Sequence, residues 1–207
     1  MKVYFIRHGM TEGNRLSRYI GSTDEPLSEE GLRQAAHAET GLKCERVFVS
    51  PLLRTAQTAA VLFPGAKQEV IDDFREMDFG AFESRSAADM ENDPQYRSWV
   101  DGMCIGRCPG GESREEFCER VCGAFSRLME ALRRECAGKA VLVVHGGTVM
   151  AILERFAIPK KDYFAYRIPN CGLISCTVKN GSGLVLTDLE YRSVYDEDTD
   201  QHDGQLL

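Results

Sequence analysis

Two histidines in this chain stand where an apolar run gives way to glycine. One closes Lys2-Val3-Tyr4-Phe5-Ile6-Arg7-His8-Gly9, the other Ala140-Val141-Leu142-Val143-Val144-His145-Gly146-Gly147. A short apolar run reads as a buried strand, and open α/β sheets build their sites at the carboxyl ends of such strands. Imidazole exchanges protons near neutrality, and Arg7 sets a guanidinium beside the first one. Arg54 falls just after Ser50-Pro51, past the end of another short apolar run, Arg46-Val47-Phe48-Val49. The glycines after His145 open a helix whose free amides attract anions. Two arginines, two histidines and exposed amides converging on one spot describe a phosphate or carboxylate site. Alone, a strand-end histidine is an ordinary polar residue and Arg54 a solvated helix residue. Their joint placement at three strand ends is what favours a site. From position alone, Glu76 reads as a surface carboxylate paired with Arg75.

The elements that must position these residues follow from pattern. After the strand at 2–6, residues 10–27 read as a loop broken by Gly13, Asn14, Gly21, Asp24 and Pro26. Ser28 caps a helix with Glu29 and Glu30 in its first turn and Leu27 stapled to Leu32, ending near Gly41. After the strand at 46–49, Ser50 as cap and Pro51 as first helical residue predict a helix. Its buried face is Leu52, Leu53, Ala56, Ala59, Ala60 and Phe63, and Pro64-Gly65 stops it. Residues 68–71 form a weaker strand. Residues 72–112 read as loops and short helices, a candidate cap and substrate-specificity region containing Phe74, Phe79, Phe82, Tyr96 and Trp99. Such aromatics more often pack a cap than bind a leaving group. Ser113 caps a long helix with the stripe Phe117, Val121, Phe125, Leu128 and Leu132. The strand at 140–144 feeds a helix with Val149, Ile152, Leu153 and Phe156 inward. Strands at 172–178 and 183–189, joined by Asn180-Gly181-Ser182, predict a terminal hairpin, and 196–207 is an acidic tail. Alternating strands and helices give a three-layer, doubly wound α/β fold. Its sheet is mixed but mostly parallel, with helices on both faces and a C-terminal antiparallel hairpin. Residues 1–195 read as one domain.

A formal charge of -7 argues against a general nucleic-acid binder. The absence of an eighteen-residue apolar run argues against a membrane span, and the N-terminus lacks a signal pattern, so the cytoplasm is the expected compartment. The eight cysteines lack the two-residue gaps of a zinc ribbon and read as reduced structural thiols.

Arg7-His8-Gly9, with Thr11 and Asn14 following, resembles the histidine phosphatase superfamily, also called phosphoglycerate mutase-like. Further matches are residues 21–31, Ser50-Pro51-Leu52-Leu53-Arg54-Thr55-Ala56-Gln57-Thr58-Ala59, Arg75-Glu76-Met77-Asp78-Phe79-Gly80 and Val144-His145-Gly146-Gly147. The resemblance implies phosphoryl transfer through a phosphohistidine, with no metal and no cofactor. His8 is then the nucleophile and Glu76 the proton donor. Arg7, Arg54 and His145 bind the phosphoryl oxygens, with Asn14, Gly21 and Gly146 completing the substrate site. The implied partner is a small-molecule phosphate monoester; a homodimer is left open. The chain's length and Glu76-Met77-Asp78-Phe79-Gly80-Ala81-Phe82-Glu83 are similar to the phosphatase branch, although Ser84 stands where glycine often follows. Pro109-Gly110-Gly111-Glu112-Ser113, with Phe117, Arg120 and Val121, is similar to alpha-ribazole phosphatases. The alternatives are a phosphoglycerate mutase and a non-catalytic phosphate-ligand binder.

Overall fold

The computed structural model describes residues 1–180 and 183–192. Within them a six-stranded sheet is formed by β1 (Lys2–Arg7), β2 (Arg46–Val49), β3 (Lys67–Val70), β4 (Lys139–Val144), β5 (Leu173–Asn180) and β6 (Leu184–Arg192). Their order is β3-β2-β4-β1-β5-β6. The pairs β2–β3, β2–β4 and β1–β4 are parallel, while β1–β5 and β5–β6 are antiparallel. The expected mixed, mostly parallel sheet with a closing antiparallel pair is therefore present. Residues 181 and 182 of the hairpin turn, and the whole acidic tail, lie outside the described residues.

Side-chain alternation along the central strands divides the core in two. Val3, Phe5, Phe48, Ala140, Leu142 and Val144 belong to one cluster, with Phe117, Val121 and Phe125 of α5 (Arg114–Arg134) and Val149 and Ile152 of α6 (Gly146–Phe156). Ile6, Val47, Val49, Val141 and Val143 belong to the other, with Ala59 and Phe63 at α3 (Leu53–Leu62). Burial on both faces is why the strands read as nearly continuous apolar runs.

Helix ends follow the capping residues in most cases. Ser28 Oγ accepts the Gly31 N–H at 3.0 Å at the start of α2 (Glu29–His37). Ser113 and Glu116 form a reciprocal capping box at α5, and Asp93 caps α4 (Pro94–Asp101). Four expectations need correction. The stretch 10–27 is not all loop, because Thr11 and Asn14 close a capping box over the short helix α1 (Glu12–Arg15). The second helix stops at His37, well before Gly41. Leu32 is 41% exposed and makes a poor staple for Leu27. Helix α3 begins at Leu53, not at Pro51, and has no side-chain cap. That two-residue delay rotates its buried face onto Arg54, Thr55, Thr58 and Ala59 and leaves Leu53 and Ala60 exposed. Ser50 lies three residues before the first helical residue, so its Oγ accepts the Leu52 N–H (3.2 Å) and no helical amide.

Candidate active site

The parallel register of β1 and β4 sets Arg7 level with Val144, so the residues that follow, His8 and His145, leave the sheet side by side. The His8 N–H donates to Val144 O at 3.0 Å, and the two imidazoles lie 5.1 Å apart at 66°. His8 is 4% exposed and its Nδ1 lies 2.8 Å from Gly9 O. A carbonyl oxygen only accepts, so Nδ1 carries the hydrogen and the neutral ring keeps its lone pair on Nε2. Gly9 is required here, since a Cβ would lie 2.7 Å from Gly31 O.

A strap entering β5 fixes this turn from the other side. Arg7 Nη1 donates to Ile168 O at 2.9 Å, and the Cys171 N–H donates to Arg7 O at 3.1 Å. Asn170 Nδ2 reaches both His8 O (3.0 Å) and Asn14 Oδ1 (3.3 Å). Because Asn14 Oδ1 also accepts the Thr11 N–H at 3.2 Å, its amide oxygen is committed and its NH₂ is the end left for a ligand.

Arg54 is fully buried, yet it is held by carbonyls rather than carboxylates. Nη1 donates to Thr23 O and Nη2 to Gly21 O, both at 2.8 Å. Its Nε has no hydrogen-bond partner among the described residues. A buried cation without a paired anion is costly unless a ligand supplies one. The loop that holds it is itself gathered by Glu83, which accepts the N–H groups of Gly21 (3.1 Å), Ser22 (2.9 Å), Thr23 (3.2 Å) and Phe79 (3.0 Å). Gly21, expected to bind substrate, therefore spends its amide on Glu83 and its carbonyl on Arg54; it supports the site from behind. Ser84 takes φ +63°, the left-handed conformation that glycine favours. The turn after Glu83 thus keeps its shape without a glycine, at a strain of about 1 kcal/mol.

Glu76 is 9% exposed. Its Oε1 accepts the Met77 N–H at 3.0 Å and its Oε2 the Gly147 N–H at 2.8 Å. Gly147 admits this approach because a Cβ there would lie 2.2 Å from Oε1. Behind Glu76, Arg120 donates from Nε and Nη2 to both oxygens of Glu112 at 2.8 and 2.7 Å. The same guanidinium donates to the carbonyls of Asp73 (2.9 Å), Arg75 (3.1 Å) and Glu76 (3.4 Å). Glu76 is thus a buried carboxyl and not the surface partner of Arg75 that its position suggested.

Burial, and then the nearby Arg54 and Arg7, push the His8 imidazole well below its ordinary range. Burial and Arg54 do the same for His145. Burial pushes Glu76 up, against the pull of its two amide bonds and of Arg54 and Arg7. The 5.1 Å between the two imidazoles, the Glu76 bond to Gly147 and the contact of Gly146 with Arg7 bring these groups together at the ends of β1 and β4, and Arg54 acts electrostatically on His8, His145 and Glu76. Gly146 adjoins Arg7, and as the first residue of α6 its N–H has no helical acceptor.

Sequence reasoning missed Asn170, the tie between His145 and Ser50 (2.7 Å from Nε2 to Oγ), and the supporting roles of Glu83, Glu112 and Arg120. Pro169-Asn170-Cys171-Gly172 before a strand was a visible turn signal, but nothing local said which loop it would meet. The aromatics pack one another: Tyr19, Phe82, Tyr96 and Trp99 are buried at ring separations of 5.5–6.2 Å. All eight cysteines are free, and burial pushes Cys108 and Cys118 up to about 12, away from thiolate reactivity. Among the described residues, no group of three or more His, Cys, Asp or Glu is gathered to hold a metal ion, and no helix is long and apolar enough to cross a membrane.

The chain is a doubly wound α/β protein whose strand ends gather two buried imidazoles, two guanidiniums and a helix amino terminus. The chain belongs to the histidine phosphatase superfamily (branch 1), which it matches over residues 3–188. It is 30% identical over 192 residues to a protein named probable phosphoglycerate mutase GpmB from Proteus mirabilis, covering 89% of this chain and 88% of that one. The protein of the same name from Cronobacter sakazakii is 32% identical over 181 residues, covering 84% and 83%. Among solved structures, a phosphoglycerate mutase from Thermus thermophilus is 34% identical, with a TM-score of 0.67 over 84% of this chain and 92% of that one. A putative alpha-ribazole-5'-P phosphatase from Escherichia coli has a TM-score of 0.77 at 24% identity over 90% and 94%, a likeness of fold. The paired coverages put the relatives with mutase names at about the length of this chain, so chain length does not separate the two branches.

Proposed function

We propose that the chain is a phosphomonoester hydrolase working through a phosphohistidine. The observation that carries this reading is a buried His8 whose Nδ1–H is spent on Gly9 O, leaving Nε2 bare, at strand ends that also hold the Arg54 Nε, unpaired among the described residues, and the buried Glu76 carboxyl. Ordinarily an imidazole is protonated where a carboxyl is ionised; here burial moves His8 down and Glu76 up, toward a neutral nucleophile beside a protonated acid. His8 Nε2 attacks phosphorus, the ester oxygen departs with the Glu76 proton, and water then attacks the phosphohistidine while Glu76 takes its proton back. Arg7, Arg54 and His145 offset charge on the phosphoryl oxygens, and Asn14 NH₂ and Gly146 N–H add hydrogen bonds. Gly21 contributes by holding Arg54. Residues 72–112 form the substrate-specificity side of a single domain spanning 1–195. An alpha-ribazole phosphatase-like preference is the narrower reading, supported by the 109–121 pattern.

A phosphoglycerate mutase is the second reading, favoured by the names of the relatives at about 30% identity. Incubation with 3-phosphoglycerate and a trace of bisphosphoglycerate, beside a panel of phosphate monoesters, separates the two. Phosphate release with little isomer supports the hydrolase. Interconversion without release establishes the mutase, and binding without turnover establishes a phosphate-ligand binder.

A further inference from the structure

His145 and His8 differ in which nitrogen is tied down. His145 Nε2 lies 2.7 Å from Ser50 Oγ, while its Nδ1 is buried with no partner among the described residues. Ser50 and Thr55 are as buried as His145, so their few hydrogens can be assigned by counting. Thr55 Oγ1 lies 2.8 Å from Leu52 O and 3.1 Å from Ser50 O, carbonyls that only accept. Its one hydrogen goes to them. Across the 3.0 Å gap between the two hydroxyls, Thr55 Oγ1 must then accept, and the Ser50 hydrogen is spent there. Ser50 Oγ already accepts the Leu52 N–H at 3.2 Å and is left as an acceptor toward His145. The reverse arrangement would take Thr55 away from its carbonyls or set two lone pairs against each other. His145 therefore carries its hydrogen on Nε2.

A bare Nδ1 is the wrong group to meet a phosphate oxygen, because lone pair would face lone pair. Burial first, and then Arg54 from α3, His8 and Arg7 from the end of β1, and Arg120 from α5, disfavour a proton on the unpartnered Nδ1. The acidic group of the same site, Glu76, has its Oε2 turned to the Gly147 N–H and its Oε1 to the Met77 N–H. We propose, on the reading of this cluster as a phosphate site, that Ser50 is a positioning residue that locks His145 in the Nε2–H form, so that a phosphate dianion enters only together with a proton bound at Nδ1. The proton comes from solvent when the ligand arrives as a dianion and from the ligand itself when it arrives as a monoanion. No other bond is made or broken.

The test is calorimetric titration of the whole chain with inorganic phosphate, above the second phosphate pKa, in buffers of different ionisation enthalpy. Wild type and Ser50→Thr are expected to take up about one proton per phosphate bound. Ser50→Ala is expected to take up almost none, because an imidazole with no fixed acceptor turns to its Nδ1–H form and donates while neutral. Equal uptake in Ser50→Ala and wild type would assign the proton to His8 or Glu76 and overturn the proposal. So would phosphate binding to wild type without uptake. Nitrogen NMR of the free wild-type imidazoles needs no variant: His145 must show a protonated Nε2 and a bare Nδ1, and the opposite tautomer overturns the proposal. Phosphate that neither binds nor shifts His8 overturns the phosphate-site reading, and the proposal with it.

Discussion

His8 and His145 stand on strand ends and Glu76 on an irregular segment, and the two parts are held mainly by different kinds of bond. The histidines inherit their positions from strand register, main-chain hydrogen bonds and a strap of five residues, 168–172. Glu76 sits in a segment without regular structure; its carboxyl accepts two main-chain N–H groups, but the segment itself is braced by side chains reaching back to main chain: Arg120 from α5, Glu112 beside it, and Glu83 across the turn. Main-chain ties tolerate most substitutions along the strand because the backbone carries them. A side-chain brace fails when one residue is lost. The acid side should therefore be the more fragile half, and the more adaptable one for selecting a leaving group.

The largest effect expected from breaking this contrast is that of Glu76→Gln, about 10²- to 10⁴-fold in kcat for an alkyl phosphate. A p-nitrophenyl ester, whose leaving group needs no proton, should lose much less in the phosphorylation step, read as a burst of nitrophenol, while its later hydrolysis of the phosphohistidine slows as for the alkyl ester. The sign of the pH dependence follows from the shifts. His8, moved down, must be neutral, so activity falls as pH drops through its pKa. Glu76, moved up, must be protonated, so activity falls as pH rises through its own. In Glu76→Gln the alkaline limb should vanish and the acid limb remain, read from kcat/KM against pH.

Arg120→Met sharpens the contrast without touching a reacting group. It strands the Glu112 carboxylate and frees three carbonyls next to Glu76. Urea unfolding should show a loss of about 2–3 kcal/mol, below the about 3–5 of a fully buried pair because the two side chains are 13% and 19% exposed. Its kcat should fall about tenfold or more as Glu76 drifts. On the histidine side, Asn170→Ala removes one side-chain tie among several main-chain ones. A loss of about tenfold in kcat/KM is expected, carried by Asn14. If Asn170→Ala cost more than Arg120→Met, the assignment of fragile and robust sides would be inverted. The smallest effect belongs to Leu53→Ser, within about 0.5 kcal/mol in the same unfolding assay, because Leu53 is 42% exposed.

The same contrast explains what could be read from residues alone. Strand ends announce themselves through apolar runs that stop, so His8, His145 and the parallel sheet were legible. Arg54 is legible through its motif, although a helix capped by Ser50 would turn a different face inward from the one that begins at Leu53. Ser50 looked like a cap by every local rule, and only the arrival of β4 beside β2 shows its hydroxyl committed to His145. Asn170, Glu83, Glu112 and Arg120 act on main chain tens of residues or more than a hundred away in some cases, and no periodicity marks such bonds. Glu76 was identified by resemblance, not by pattern. Its burial comes from a fold-level enclosure that its polar neighbours Arg75 and Asp78 disguise.

The central claim is that His8 becomes covalently phosphorylated during turnover, and trapping tests it most directly. A phosphate monoester is mixed with the enzyme, the reaction is quenched in base, and the peptides are mapped by mass spectrometry. An acid-labile, base-stable phosphoryl group on the peptide bearing His8, absent from His8→Ala together with activity, is the predicted result. Undiminished turnover in His8→Ala, or a phosphoryl group on another residue, would contradict the account.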